Sequence, residues 1–140
     1  MPRFTIPGAL ASHQNHRHWR AERRYAKQWR NAAWASLYAH RGTLPRMATD
    51  EGARVTVKLT RIYEAPQRAF DPEDTLPYSL KPVRDGIADL LFRGCTKHRG
   101  LVSCGTRHDG DPRITWTKPT QQKGTPARVE VTVEVEEERA

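Results

Sequence analysis

Apolar residues recur at helical spacing in two segments of the chain. Between about residues 18 and 40, five of them fall on one face of a helix: Trp19, Ala26, Trp29, Ala33 and Leu37. A second and clearer set lies in residues 76–91: Leu76, Leu80, Val83, Ile87, Leu90 and Leu91. Spacings of three, four and seven residues are typical of a helix with one buried face. We therefore expect two helices packed on the core, and we favour the core over a base-stacking surface as the place of the tryptophans.

Shorter segments of alternating or β-branched residues predict four strands. They span residues 4–6, 55–60, 114–117 and 128–136. In the last segment every second residue from Val129 to Val135 is Val, which predicts one buried face, one wet face and antiparallel pairing with the preceding strand. Residues 119–126 are expected to form a polar turn. The order β-α-β-α-β-β predicts an α+β fold, a small mixed sheet with two helices packed on one face.

Charge divides the chain into basic and acidic parts. The net charge of the 140 residues is +8. Residues 1–48 hold nine Lys and Arg against one Glu, and residues 90–128 hold eight against two acids, whereas residues 49–89 hold six against eight acids. A basic surface around an acidic centre fits a polyanionic partner, most often nucleic acid. Solvated charge on surface helices would give the same totals.

Length and apolar content restrict the classes of protein that fit. A chain of 140 residues is enough for one domain with one core, so we expect a single domain over residues 1–140. No apolar run reaches the roughly 18 residues of a membrane span, and the first residues lack the apolar stretch of a secretion signal. Two Cys residues are too few for a disulfide scaffold. We therefore expect a cytoplasmic protein without membrane contact. Because the chain has no nucleotide-binding motif, we also expect no small-molecule substrate.

Two groups of carboxylates lie at the ends of predicted elements. Asp71 and Asp74 precede the second helix, and Asp109 and Asp111 precede the third strand. Mg²⁺ prefers such oxygen ligands, and Lys81 could stabilise charge on a phosphate nearby. One face of the second helix also carries three charged residues in line: Lys81, Asp85 and Asp89. Helix capping and turn formation would account for the Asp residues equally well.

The loop between the second helix and the third strand contains four possible ligands of a soft metal. They are Cys95, His98, Cys104 and His108. Four such ligands suit a tetrahedral structural Zn²⁺, which would order a stretch that lacks an apolar core. The alternative is a basic loop with two free thiols.

Four stretches of the chain resemble the RusA-type Holliday junction resolvases, especially the short forms of phage and prophage. They are residues 6–8 followed by the basic helix, residues 71–76, residues 79–89 and residues 109–116. Their order and spacing carry the resemblance. It implies a homodimeric endonuclease that depends on Mg²⁺, for which Mn²⁺ can substitute, and that cuts four-way DNA junctions symmetrically.

The resemblance also implies roles for individual residues. Asp74 matches the second Asp of the family's pair before the helix, and Asp71 substitutes for the first through one extra residue. Asp111 matches the later Asp, with Asp109 as the alternative. The implied catalytic residues are Asp71, Asp74, Asp111 and Lys81, and the three Asp carboxylates would hold the metal. The chain departs from the family at Thr75, where the family has Asn, and in the Cys- and His-containing insertion at about residues 92–110.

Basic residues on both sides of the acidic centre are expected to contact DNA phosphates. They are Arg17, Arg20, Arg23, Arg24, Lys27, Arg30, Arg84 and Arg113. The alternative function is a weakly active or inactive module that binds branched DNA on the same scaffold, with Zn²⁺ as a possible stabiliser. A third interpretation is a small structural protein whose basic charge aids solubility.

Overall fold

The fold is a mixed sheet with two helices. The structure, a computed structural model, describes residues 2–11, 19–93 and 108–136, with residues 19–22 described by their backbone alone. Within these ranges the elements are β1 (Arg3–Pro7), α1 (Trp19–Tyr38), β2 (Val55–Tyr63), α2 (Thr75–Leu91), β3 (Ile114–Trp116), β4 (Thr120–Lys123) and β5 (Arg128–Val135). Short 3₁₀ turns lie at Arg41–Thr43 and His108–Gly110. The predicted α+β class is confirmed.

The five strands form one sheet in the order β1-β5-β2-β3, with β4 also beside β2. β5 is antiparallel to β1 and β2, whereas β3 and β4 are parallel to β2. β3 pairs with β2 from Val55 and β4 pairs with it from Thr60, so β3 and β4 form one edge strand that is interrupted between them. Pro119 lies in the interruption, where its missing N–H costs no sheet hydrogen bond.

Two details of the strand prediction were wrong. Residues 119–126 were expected to be a turn but contain β4, and β5 pairs with β1 and β2 rather than with the strand before it. β4 consists of polar residues on an edge of the sheet, so it has no apolar alternation to reveal it. The side chain of Gln121 holds it in place, accepting a bond from Phe70 N at 2.9 Å and donating one to Phe70 O at 2.6 Å.

The core lies between the sheet and the two helices. Val129, Val131 and Val133 of β5 are fully buried, as the alternation predicted, whereas Val135 at the end of the strand is exposed. The apolar face of α2 is buried at each predicted position: Leu76, Leu80, Val83, Ile87, Leu90 and Leu91. In α1 the buried residues include Trp29, Ala33 and Leu37, so the core assignment of that stripe is confirmed where side chains are described.

The two helices approach each other closely at Gly86. A Cβ at this position would lie 2.2 Å from the carbonyl oxygen of Arg30 and 2.9 Å from the Cβ of Ala33. One turn further along α2, Asp89 accepts bonds from Arg30 Nε at 2.6 Å and from Arg30 Nη2 at 2.9 Å. This contact fixes α1 against α2 and brings Arg30 to the polar face of α2.

Arg61 is a buried cation in the strand β2. It continues the inward-facing positions of Val55, Val57 and Leu59, and its side chain is fully buried. Its guanidinium lies 3.5 Å from the centre of the Phe70 ring and donates to the carbonyl of Arg68 at 3.0 Å. Burial lowers the pKa of Arg61. These contacts bind the loop that precedes α2 to the sheet.

None of the helices in the described part of the chain combines the length and apolar character needed to cross a membrane.

Candidate active site

The centre of the candidate site is Lys81, which bridges two carboxylates. Its Nζ donates to Asp85 Oδ1 at 2.6 Å and to Asp109 Oδ2 at 2.6 Å. Lys81 and Asp85 lie one turn apart on α2, so the helix alone aligns them. Asp109 comes from the 3₁₀ turn before β3. Two segments of the chain therefore meet at one ammonium group.

The position of Asp109 is fixed from two sides. Trp116 Nε1 donates to the carbonyl of Asp109 at 2.8 Å, which ties the 3₁₀ turn to β3. The side chain of Asp109 is only 10% exposed, whereas that of Lys81 is 43% exposed. The Asp109 carboxylate is thus nearly buried, whereas the side chain of Lys81 reaches solvent.

A second ion pair lies beside this cluster. Asp89 is bound by both donors of Arg30, and His108 Nδ1 lies 3.3 Å from Asp89 Oδ1. The His108 ring stacks on Phe92 with 4.8 Å between ring centres. The hydrogen bond that Arg30 donates to Asp89 is the main cause that raises the pKa of Arg30. Asp89 therefore joins α1, α2 and the 3₁₀ turn.

The cations around Asp109 keep it ionised. Burial by itself would raise the pKa of Asp109, but the hydrogen bond and charge of Lys81 and the charge of Arg84 outweigh it and lower the pKa below its usual value. The pKa of Asp111 is also lowered, since the hydrogen bonds and charge of Arg113 outweigh its burial. Both carboxylates are therefore anionic at neutral pH.

These two lowered pKa values predict a loss of stability in acid. A carboxyl group whose pKa is lower in the folded state stabilises the fold above its usual pKa of about 4 and loses this effect as the pH falls through the folded-state value. We expect the free energy of unfolding, measured by urea titration, to fall between about pH 5 and pH 2. Asp109→Asn should make this dependence less steep, and an unchanged slope would contradict the role given to Lys81.

Asp71 and Asp74 lie at the start of α2 and are exposed. Asp71 Oδ1 accepts a bond from the backbone N–H of Glu73 at 2.8 Å. Asp74 occupies the N-cap position of α2, but its side chain makes no capping hydrogen bond. Capping therefore does not explain Asp74, and a role as metal ligand stays a prediction for both residues.

The structure does not bring Asp111 to these two residues. Asp111 Oδ1 lies 3.2 Å from Arg113 Nε, and Arg113 Nη1 donates to the carbonyl of Met47 at 3.0 Å. Met47 in turn bonds the carbonyl of Leu91, at the far end of α2. Among the described residues, which include Asp71, Asp74 and Asp111, no group of three such side chains is arranged to hold one metal ion. The expected set of three shared ligands is therefore corrected, and the Asp that contacts Lys81 is Asp109.

The predicted zinc ligands fall mainly outside the described residues. Cys95, His98 and Cys104 lie in the range that the structure does not describe, and only His108 can be placed. In the described ranges, no group of three or more His, Cys, Asp or Glu side chains is arranged to hold a metal ion. The zinc site therefore stays a prediction.

The expected DNA-binding cations differ in where the structure places them. Arg23, Arg24 and Lys27 are exposed on α1, whereas Arg17 and the side chain of Arg20 lie outside the described part of the chain. Arg30 and Arg113 form ion pairs within the fold, with Asp89 and Asp111 respectively, and their assignment to DNA stays a prediction.

Arg84 lies in a small cleft next to the cluster. The cleft runs between the first half of α2 and the edge of the sheet, with Pro77, Leu80 and Pro119 among its walls. The Arg84 guanidinium lies 4.7 Å from the centre of the Trp116 ring, and its Nε has no hydrogen-bond partner within the described chain. A cation in this position can contact a phosphate that approaches Asp109.

Two residues of this site, Asp85 and Trp116, received no role in the site from the sequence. Asp85 carried a signal, since it stands four residues after Lys81. Trp116 carried none, because an aromatic residue in a strand is most simply explained as core. Its indole N–H, which holds Asp109, is visible only in three dimensions.

Comparisons with known proteins do not identify the chain. No protein-family model, no curated protein and no solved structure matches it. The resemblance to the RusA-type resolvases therefore rests on the sequence motifs alone, and function has to be argued from the site.

Proposed function

We propose that the protein is a Mg²⁺-dependent endonuclease that acts on branched DNA, specifically four-way junctions. The observation that carries the proposal is the contact of Lys81 with two carboxylates, Asp85 and Asp109, from separate segments of the chain. Phosphodiester cleavage needs such anionic oxygens to hold a metal and a cation to stabilise charge on the phosphate. The resemblance to the RusA-type resolvases supplies the substrate class.

The side chains fit a hard divalent cation. Mg²⁺ in nucleic-acid enzymes is often held by one or two carboxylates together with phosphates of the substrate, and Asp85 and Asp109 supply two. When bound, Mg²⁺ lowers the pKa of a coordinated water and stabilises charge on the leaving oxygen. Lys81 contacts one oxygen of each carboxylate, and its partly exposed side chain can turn toward a phosphate. Arg84 would hold that phosphate from the other side.

The surface of α1 would bind the arms of the junction. Arg23, Arg24 and Lys27 are exposed there, so binding should weaken steeply with salt as phosphate contacts release counterions. Such contacts position a protein without reading base sequence, and the shape of the junction would supply selectivity.

The proposal also includes a homodimer of the chain. A four-way junction presents symmetry-related strands, and a two-fold dimer would place one site on each. We place this activity in the cytoplasm of a bacterium or of a phage-infected cell.

The test is a cleavage assay on a synthetic four-way junction with Mg²⁺, compared with linear duplex and with EDTA. We expect paired symmetric nicks in the junction alone. Asp85→Asn and Asp109→Asn should bind the junction yet fail to cut it, whereas Asp111→Asn should cut. Asp71→Asn and Asp74→Asn decide whether the start of α2 adds ligands. Cleavage that survives both Asp85→Asn and Asp109→Asn would remove the assigned site.

One observation favours the alternative, a branched-DNA-binding module with little or no nuclease activity. Among the described residues, no group of three or more His, Cys, Asp or Glu side chains is arranged to hold a metal ion, and Lys81 already neutralises Asp85 and Asp109, the two carboxylates that meet at it. This alternative predicts salt-sensitive junction binding without nicks in either Mg²⁺ or Mn²⁺. Absence of salt-sensitive DNA binding would instead favour a purely structural protein.

A further inference from the structure

Six residues form one exposed line along α1 and the 3₁₀ turn after it. At spacings of three and four residues they are Arg24, Lys27, Asn31, Trp34, Tyr38 and Arg41. This line, called here the outer stripe, faces away from the buried positions Trp29, Ala33 and Leu37. It therefore contains a Trp that the core does not use.

The aromatic end of the outer stripe is a preformed stack. The rings of Trp34 and Tyr38 are 4.5 Å apart at 16°, and the Arg41 guanidinium lies 4.1 Å from the centre of the Tyr38 ring. Arg41 also donates to the carbonyl of Tyr38 at 3.1 Å, which holds it there. Arg41 closes one end of the stack, and at the other end Trp34 remains 37% exposed.

The charge around the outer stripe indicates which kind of partner would bind it. Residues 23–48 contain six Lys and Arg residues and no Asp or Glu. A second copy of the chain in a two-fold interface would bring these cations face to face, which is unfavourable. A polyanion with flat rings matches both the cations and the aromatic stack.

We propose that the outer stripe binds single-stranded DNA, with a base stacked on the outer side of Trp34 and phosphates along Arg24 and Lys27. The base would continue the Trp34–Tyr38–Arg41 stack, as bases do on aromatic platforms in single-strand-binding proteins. The stripe lies close to the candidate active site, because Arg30 is one turn before Trp34 on α1 and contacts Asp89. The inference rests on the proposed function only for the choice of DNA.

The test is a fluorescence titration with oligothymidylate of about ten nucleotides, within the range of single-strand site sizes. It is done in EDTA, so that no cleavage occurs. We expect binding to quench tryptophan emission, and Trp34→Leu to weaken the affinity by about 5- to 150-fold, the range for loss of one stacked base. Trp34→Phe keeps a ring face and should retain most of the affinity.

The salt dependence of the affinity tests the charged end of the outer stripe, Arg24 and Lys27. Replacing Arg24 and Lys27 by Gln should reduce the slope of log affinity against log salt by about 1.4, for two phosphate contacts on a single strand. Trp34→Leu should leave that slope unchanged. If Trp34→Leu binds oligothymidylate as tightly as wild type does, the inference is overturned. A Trp34→Leu variant that changes from dimer to monomer in sedimentation also overturns it, since the stripe is then a protein interface.

The outcome is separable from that of the cleavage assay. A wild-type chain that binds oligothymidylate through Trp34 but never cuts a junction upholds this inference and overturns the proposed function. A junction nuclease whose single-strand affinity is independent of Trp34 upholds the proposed function and overturns this inference.

Discussion

Lys81→Met is expected to bind metal more tightly and to cut DNA more slowly. The ammonium of Lys81 bonds both Asp85 and Asp109, so its removal leaves two unneutralised carboxylates that attract a divalent cation more strongly. The phosphate would at the same time lose a positive charge. Removal of one preorganised group that stabilises the transition state costs about 10²–10³ in kcat.

Two measurements on Lys81→Met test the expected increase in metal affinity and the expected decrease in cleavage rate. Titration calorimetry with Mn²⁺ should give a lower Kd for Lys81→Met than for wild type, and single-turnover cleavage of a four-way junction with Mg²⁺ should be slower by the stated factor. Lys58→Met is the matched control, because Lys58 is exposed on β2 and the variant has the same net charge. Wild-type cleavage by Lys81→Met would show that Lys81 only supports the fold.

Gly86→Ala is expected to destabilise the fold strongly. The added Cβ would lie 2.2 Å from a backbone oxygen of α1, and no side-chain rotation relieves a contact with backbone. The helices must separate, which costs about 1–3 kcal/mol or more for overpacking. Ala gains only about 1 kcal/mol over Gly in helix propensity, so we expect a net loss of stability.

Gly42→Ala provides the comparison for Gly86→Ala. A Cβ at Gly42 meets nothing within 4 Å, so this variant should stay within about 0.5 kcal/mol of wild type. Urea unfolding of both variants measures the difference. If the two are equally stable, the close contact between α1 and α2 at Gly86 is not present in solution.

The helices and most strands were predictable because their burial is periodic. In α2 one helix face meets the core at every third or fourth residue, and in β5 every second residue from Val129 to Val133 is buried. β4 escaped prediction because an edge strand needs only backbone pairing, and its four residues carry no pattern. Arg61 follows Val55, Val57 and Leu59 at the same two-residue spacing, so its side chain points into the core. The sequence did not predict this position, because a charged residue is not expected to be buried.

The candidate site was predictable in part, and the difference between Asp109 and Asp111 shows why. Both precede β3, and the resemblance to the RusA-type resolvases favoured Asp111. They lie in and just after a 3₁₀ turn, where residues two apart point in different directions. Asp109 consequently meets Lys81, and Asp111 meets Arg113. Which carboxylate faces the site depends on the turn, and sequence spacing does not determine the turn.

The most direct test of the central claim, that Asp85 and Asp109 hold the metal, is iron-mediated cleavage of the protein itself. Fe²⁺ bound in place of Mg²⁺, with ascorbate and peroxide, generates radicals that break the chain beside the metal, and mass spectrometry locates the breaks. We predict breaks near residues 85 and 109 that excess Mg²⁺ suppresses and that Asp109→Asn abolishes. Breaks confined to residues 71–74, or none at all, would contradict the claim.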